Sequence, residues 1–217
     1  MTLALVMAFS SFNFGNASAE ASTKPVDSDF LTEETINVVD EFIVFENNKF
    51  EIKDVNVLVR KIGGKEFSKV KKEVKEKNIL LSEISEEEFK NTAEVVGNHI
   101  EFSDQNGEEP GFSVMTYRGK NTLQVLWWGY RVYLNDNLTK TTAQALAGGA
   151  GTATLVGIWS PWFSAPTAVI KAVAASAAVV LGGSSAMMFN TNKGSGIYLR
   201  FTGILPMSVV YTGMFSQ

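Results

Sequence analysis

The charged residues of this chain are divided unequally between its two halves, and this division constrains the fold more than any other feature. Residues 1–111 contain 12 Lys and Arg against 22 Asp and Glu, a net charge of −10, whereas residues 112–217 contain 7 against 1, a net charge of +6. Asp136 is the last carboxylate side chain in the sequence. Because exposed charge sets long-range association, we expect two parts that attract each other, and we expect the basic part to favour anionic surfaces.

The N-terminus predicts export. An apolar run from Leu3 to Phe9 is followed by polar residues and by a stretch that fits an A-x-A cleavage site after Ala19, so residues 1–19 are predicted to be the signal peptide of a secreted, extracellular protein. The run is shorter than the roughly 20 apolar residues that span a bilayer. No Lys or Arg precedes Lys24, which leaves open a start codon upstream of Met1. A buried N-terminal helix is the alternative interpretation.

Residues 20–102 predict a small, mostly helical, acidic domain that would serve as a pro-region. Thr32 can cap a helix that has acidic residues in its first turn, where negative charge complements the helix dipole. The dipeptide Asn47-Asn48 predicts a turn between two short alternating segments. Further helices are expected over residues 65–78 and 86–96, the first from apolar residues that recur at helical spacing.

A polar segment, residues 103–111, predicts the linker between the two parts. It is rich in turn-forming residues and contains no large apolar residue. Exposed loops of this composition are preferred sites of proteolysis, so we expect a cleavage site here or shortly beyond, before Lys120. The chain contains no cysteine, so each part must be held together by packing rather than by disulfides.

Beyond the linker, residues 112–217 predict a module in which strands flank a helical region. Apolar and polar residues alternate over residues 112–134, with one continuous alternating run from Leu126 to Leu134. The same alternation predicts strands over residues 197–202 and 207–215. The fold class is therefore predicted to be α+β, with antiparallel strands on either side of the helices.

The helical region, residues 137–189, predicts a hairpin of two apolar helices. Two segments rich in Ala, Gly and Val are separated by Pro161 and Pro166, which suit a helix end and a helix first turn. Each arm of about 22 residues would measure about 33 Å, close to the thickness of a bilayer. The arms would either pack on the sheet as a core or leave it and enter lipid.

Small residues recur at every fourth position in both arms, a spacing that lets two helix backbones approach closely. They predict the contact between the arms and are Ala143, Ala147, Gly151, Ala174, Ala178, Gly182 and Ala186. Several threonines in the first arm argue against its stable insertion in a resting protein.

Aromatic and basic residues of the module predict its contacts with a membrane or a partner. Aromatic side chains anchor at lipid interfaces, and basic side chains bind anionic groups. The candidate contact residues are Trp127, Trp128, Arg131, Trp159, Trp162, Phe163, Lys171 and Arg200. For each of them, ordinary packing or a solvated charge is the competing interpretation.

The residues predict no catalytic, cofactor or metal site. The single histidine, His99, lies outside the basic module, and Asp136 is that module's only carboxylate, so paired acid and base groups are lacking there. The glycines at 148–151 and at 182–183 do not match a phosphate-binding loop, and close packing explains them better. Basic residues are too sparse to predict nucleic-acid binding.

The arrangement of these parts resembles secreted bacteriocin-like precursors of Gram-positive bacteria. The resemblance is carried by the signal peptide, the acidic region with its linker, the strand Trp127 to Val132 (WWGYRV), the Ala- and Gly-rich hairpin, and the strand Gly196 to Gly203 (GIYLRFTG). The segment Ile43 to Phe50 is similar to the leader-like domains that precede such modules. The resemblance implies an antimicrobial product that an extracellular protease releases and that acts on the membranes of competing cells.

The sequence therefore predicts a non-enzymatic precursor whose acidic domain keeps the module soluble until cleavage. Its expected partners are an anionic membrane or cell surface and a processing protease, and a homo-oligomer is left open. Two alternatives remain: a secreted interaction domain, such as an adhesin or inhibitor with the hairpin as core, and an integral membrane protein with two spans.

Overall fold

A computed structural model describes residues 31–103, 119–181, 185–203 and 210–217. The predicted signal peptide, nearly all of the predicted linker and Gly182 lie outside the described residues. The helices are α1 (Glu33–Asp40), α2 (Val55–Ser82), α3 (Glu86–Thr92), α4 (Asp136–Ala147), α5 (Thr152–Trp159), α6 (Thr167–Leu181) and α7 (Ser185–Thr191). The strands are β1 (Ile43–Glu46), β2 (Lys49–Ile52), β3 (Glu94–Val96), β4 (His99–Ser103), β5 (Thr122–Leu126), β6 (Gly129–Leu134), β7 (Ile197–Thr202) and β8 (Val210–Ser216). The predicted α+β class is confirmed.

Local signals in the acidic part are confirmed at two positions. The Thr32 hydroxyl accepts a hydrogen bond from the Thr35 amide at 3.2 Å and so caps α1. Asn47 and Asn48 have φ values of 52° and 58° and connect β1 to β2 as a two-residue hairpin turn. Asparagine tolerates this left-handed region better than most residues, which explains its use in the turn.

The helix predicted over residues 65–78 is longer in the structure. Helix α2 begins at Val55 and ends at Ser82, with a kink at Gly63, where φ is 81° and ψ is 158°. The helix predicted over residues 86–96 is too long, because α3 ends at Thr92 and residues 94–96 form β3. The valines of β3 are β-branched and favour the extended chain that pairs with β4.

Six strands form one antiparallel sheet in the order β3-β4-β5-β6-β7-β8. The predicted boundary at residues 103–111 lies between β4 and β5, which pair directly from His99 opposite Leu126 to Ser103 opposite Thr122. The prediction of two separate domains is therefore corrected: the acidic and basic parts share this sheet. A polar loop between two strands has the same composition as a linker between two domains, so the sequence pattern could not distinguish them.

The sheet has an apolar face and a polar face. The apolar face is buried and contains Ile100, Phe102, Leu123, Val125, Tyr130, Val132, Leu134, Ile197, Leu199 and Phe201. The alternation predicted for residues 197–202 is thereby confirmed. Helix α2 reaches this face at Tyr130, and α4 and α7 pack beside β6 and β8. Side chains at the intervening positions, including Arg131 and Arg200, point to the polar face.

The predicted hairpin of two continuous helices is wrong. The first arm is divided into α4 and α5, with Gly149 in the left-handed region at φ 80°, and the second arm contains α6 and α7. Helix α5 packs against α6, and α4 packs against both α5 and α7. Glycine loses more conformational freedom in a helix than other residues do. The glycines at 148–151 therefore end the helix instead of allowing closer packing of the two arms.

The small residues do not form one continuous packing stripe. Ala143 and Ala174 are buried and Ala178 is half-buried, whereas Ala147, Gly151 and Ala186 are exposed. The break between α4 and α5 interrupts the four-residue spacing in the first arm, because α5 starts with a new orientation.

Candidate functional site on the polar face of the sheet

A row of charged and amide side chains crosses the polar face of the sheet. Strand pairing places Gln124 opposite both Glu101 and Arg131, and it places Arg131 opposite Arg200. The next row contains three stacked aromatic rings. Tyr133 lies 5.2 Å from Tyr198, and Tyr198 lies 4.7 Å from Phe215, measured between ring centroids. The polar face therefore offers two neighbouring guanidinium groups beside an aromatic ladder.

Both guanidinium groups lie against the ring of Trp128. The Cζ atom of Arg200 is 4.6 Å and that of Arg131 is 5.3 Å from the ring centroid. Trp128 is only 1% exposed, and its Nε1 has no hydrogen-bond partner among the described residues. Cations over an aromatic face are stabilised by the ring quadrupole, which allows the two like charges to be held close together.

The acidic part supplies carboxylates to this region from α1. Glu33 accepts a hydrogen bond from Arg200 Nη1 at 2.9 Å, and this bond lowers the pKa of Glu33. Asp40 accepts a hydrogen bond from Trp127 Nε1 at 2.6 Å, and Asn98 donates to the same carboxylate. Helix α1 thus contacts two of the residues that were predicted as membrane or partner contacts.

Strand β4 contributes a second acidic contact. Glu101 accepts hydrogen bonds from His99 Nε2 at 3.1 Å and from the side-chain amide of Gln124. Burial acts to raise the pKa of Glu101, but the bonds from His99 and Gln124 outweigh it, so the pKa lies below its usual value. The third carboxylate on this face is therefore also held by hydrogen bonds.

Helix α2 inserts a lysine into the apolar side of the sheet. Lys77 is fully buried, with Nζ 3.5 Å from the centroid of the Tyr130 ring and 3.2 Å from the carbonyl oxygen of Gly203, to which it donates. Glu73 is 8% exposed, and its Oε2 has no hydrogen-bond partner among the described residues. Burial lowers the pKa of Lys77 and raises that of Glu73, because a low-dielectric interior disfavours both charged forms.

Four of the predicted contact residues are buried, as the competing interpretation of ordinary packing expects. Trp127, Trp128, Trp159 and Phe163 are at most 2% exposed. Trp159 Nε1 donates to the Thr142 hydroxyl at 3.0 Å, and the Trp159 and Phe163 rings meet edge to face. Large aromatic side chains stabilise a core as effectively as an interface, so composition could not separate the two roles.

The remaining predicted contacts are accessible to different degrees. Trp162 is half-buried against the core, Arg131 and Arg200 are half-buried on the polar face, and Lys171 is exposed on α6. The alternating run from Leu126 to Leu134 is not one strand, because the chain turns at the two tryptophans so that Leu126 pairs with Gly129. Those tryptophans therefore lie in the hairpin connection that joins β5 to β6.

The sequence did not reveal the residues through which the acidic part forms hydrogen bonds with the module. Glu33 was interpreted only as a first-turn helix residue, and Asp40 and Lys77 were not singled out. The row on the polar face could have been found, because Arg131 and Tyr133 alternate with apolar residues, as do Tyr198 and Arg200. No local signal marks Lys77, since a buried lysine on a lysine-rich helix resembles its exposed neighbours.

No family model, curated protein or solved structure matches this chain. Within the described ranges, no helix is both long and apolar enough to cross a bilayer. The same residues contain no group of three or more His, Asp or Glu side chains that could hold a metal ion.

Proposed function

We propose that this chain is a secreted precursor of an antimicrobial or toxin-like protein, in which the acidic part covers the basic module until proteolysis and contact with a target surface separate them. The observation that carries the proposal is the contact of α1 with the module. Asp40 bonds Trp127 and Glu33 bonds Arg200, so carboxylates of the acidic part contact the module, one of them at a cation suited to an anionic partner.

The charge division supports the same proposal. The part up to residue 111 carries a net charge of −10 and the part beyond it +6, and oppositely charged surfaces attract one another. An anionic membrane competes with the acidic part for the same cations. Removal of the acidic part would raise the affinity of the module for such a membrane, and added salt would lower it.

Cleavage between Ser103 and Gly119 would not by itself separate the two parts. Strand β4 pairs with β5 along five residues, and Lys77 of α2 remains bonded to Gly203 inside the core. A cut chain would therefore persist as a non-covalent complex. We propose that contact with the target surface displaces β4 and α2 from the module.

Helices α6 and α7 present apolar surface that lipid would cover once β4 and α2 are displaced. Helix α6 carries one charged residue, Lys171, in fifteen, and Val179 near its end is 82% exposed. Met187 and Phe189 of α7 are also exposed. At about 1.5 Å per residue α6 measures about 22 Å, which suits a helix lying in the membrane interface better than one crossing the bilayer.

The test uses the full chain with a specific protease site inserted between Ser103 and Gly119. Dye leakage from vesicles of phosphatidylglycerol and phosphatidylcholine is measured before and after cutting, with phosphatidylcholine vesicles as the control. We expect leakage only from the cut chain and only with the anionic lipid. Equal activity of the intact and cut proteins on anionic vesicles would refute the role of the acidic part as a cover.

The aromatic ladder favours a second candidate, a secreted interaction domain that acts without cleavage. Tyr133, Tyr198 and Phe215 form a stacked row on the polar face, and Phe215 is exposed. Such rows provide rigid contact area for a protein partner. Absence of leakage and of vesicle binding by both intact and cut proteins would favour this candidate over the precursor.

A further inference from the structure

The directly opposed guanidinium groups of Arg131 and Arg200 form an unusual arrangement. The two residues are partners in the pairing of β6 with β7, and both side chains lie on the polar face. Like charges directly opposite each other across two strands repel and destabilise the pair. An arrangement of this kind calls for a compensating negative charge close to both groups.

The described residues supply only part of that compensation. Glu33 pairs with Arg200 at 2.9 Å, while Arg131 forms no ion pair with any acidic side chain of the described residues. Among the described residues, one ion pair therefore serves two guanidinium groups, since Glu101, the other carboxylate of this face, bonds His99 and Gln124 instead. The Glu33 side chain is also 72% exposed, so its contact with Arg200 is screened by water and is easily replaced.

Two buried hydrogen-bond donors beside the guanidinium pair also lack an acceptor in the described part of the chain. Trp128 Nε1 and Arg200 Nε are both buried and have no hydrogen-bond partner among the described residues. Buried donors are nearly always paired, and each unpaired one costs free energy, so such a cluster requires an explanation. The two atoms belong to side chains that contact each other, since the Arg200 guanidinium lies over the Trp128 ring.

We infer that Arg131, Arg200 and Trp128 form a binding site for a phosphate-bearing ligand. Guanidinium groups bind phosphate oxygens through paired hydrogen bonds, and one phosphate can bridge two such groups. The extra negative charge neutralises Arg131, and a small rearrangement of the ring and of Arg200 brings the unpaired N–H groups to the oxygens. In the absence of the ligand, the Glu33 carboxylate takes the place of the phosphate oxygens that would bind Arg200.

The inference rests on the proposed function, because it names the chemical group of the target surface that these three residues would bind. It concerns the intact chain, however, and its test involves no cleavage. Failure of the phosphate site would leave the leakage result unaffected, and a precursor that fails to cause leakage could still bind phosphate. The two proposals are therefore separable.

The principal experiment is a titration of the full chain with inorganic phosphate at constant ionic strength, followed through the indole N–H resonances. The chain has four tryptophans, and the Trp128 resonance is assigned with Trp128→Phe. We expect this resonance to shift with phosphate and not with chloride. Arg131→Gln should weaken binding at least about tenfold, because it removes a charge-assisted pair of bonds. Lys171→Gln removes an exposed charge elsewhere and should leave binding unchanged.

A second pair of variants tests the site without altering its cations. Glu33→Gln should tighten phosphate binding about fivefold, as expected when an exposed competing ion pair is removed. Glu34→Gln is the matched control, because Glu34 is the neighbouring exposed carboxylate. Equal affinities of the two glutamine variants, or of the Arg131 and Lys171 variants, would overturn the assignment.

The source of the phosphate is distinguished with vesicles. Glu33→Gln protein is sedimented with vesicles of phosphatidylglycerol and phosphatidylcholine, with and without added inorganic phosphate. Vesicle binding that phosphate displaces supports a lipid headgroup as the ligand. Phosphate binding without vesicle binding supports a soluble phosphate compound at the same site. Absence of both would contradict the inference.

Discussion

Replacement of the buried Lys77 and Glu73 by neutral side chains of similar size should stabilise the protein. In the double variant Glu73→Gln with Lys77→Met, the methionine retains most of the packing of the lysine stem. The variant loses the 3.2 Å bond to the Gly203 carbonyl, which contributes roughly 1.5–3 kcal/mol, and the cation–π contact with Tyr130, which contributes roughly 2 kcal/mol.

The free energy gained by the substitutions should exceed the free energy lost with these two contacts, because two charged groups no longer have to be removed from water. The desolvation penalty of a buried ion is several kcal/mol, and Lys77 is fully buried. Burial also lowers the pKa of Lys77 despite the nearby Glu73 carboxylate, because a low-dielectric interior disfavours the ammonium form. We therefore expect the free energy of unfolding at pH 7 to rise by about 1–3 kcal/mol.

The pH dependence provides an independent check on the same pair. Between the ordinary pKa of Glu73, 4.5, and neutral pH, the raised pKa lets the folded state bind an extra proton, so wild-type stability falls as pH rises. Between neutral pH and 10.5, the lowered pKa of Lys77 makes the folded state bind fewer protons, so stability rises with pH. Wild-type stability should therefore pass through a minimum near neutral pH, and the double variant should lack this minimum.

Urea denaturation followed by circular dichroism at several pH values measures both effects. Lys75→Met is the matched control, because Lys75 is exposed on the same helix and should change the unfolding free energy by less than about 0.5 kcal/mol. A double variant that is less stable than wild type by more than about 1 kcal/mol, with an unchanged pH profile, would refute the reasoning.

Three further substitutions test the packing around the module. Trp159→Phe should lower the free energy of unfolding by about 2 kcal/mol, since it removes a buried bond to Thr142 and leaves a small cavity; an unchanged urea midpoint would argue against this contact. Asn47→Ala should cost about 1 kcal/mol in the same assay, because its φ of 52° disfavours alanine, and Asn47→Gly should not. Gly129→Ala should abolish cooperative unfolding, because its Cβ would lie 1.9 Å from the Phe201 carbonyl oxygen; a cooperative transition would contradict that approach.

The parts of the fold that follow from local chemistry were predictable. The Thr32 cap and the Asn47-Asn48 turn depend on neighbouring atoms, and the alternation over residues 197–202 follows from the period of a strand. The pairing of β4 with β5 was not predictable, because alternation identifies the face of a strand but not its neighbour. The predicted linker was consequently interpreted as a domain boundary.

The candidate site was predicted in part. Arg131, Arg200 and Trp128 were selected as contact residues, and the structure brings them together. The burial of Trp128 could not be predicted, because it depends on packing against residues such as Arg200, which is distant in the sequence. The role of Glu33 depends on a contact between residues 167 positions apart, and no sequence pattern encodes a contact at that separation.

The measurement that most directly tests the proposed precursor is mass spectrometry of the protein in the medium of cells that produce it naturally. The account predicts a species that begins between residues 104 and 119 and a complementary acidic species that begins near residue 20. It also predicts that membrane-active fractions contain both species, held together as a non-covalent complex until they meet a membrane. Detection of the uncut chain alone in membrane-active fractions would contradict the account.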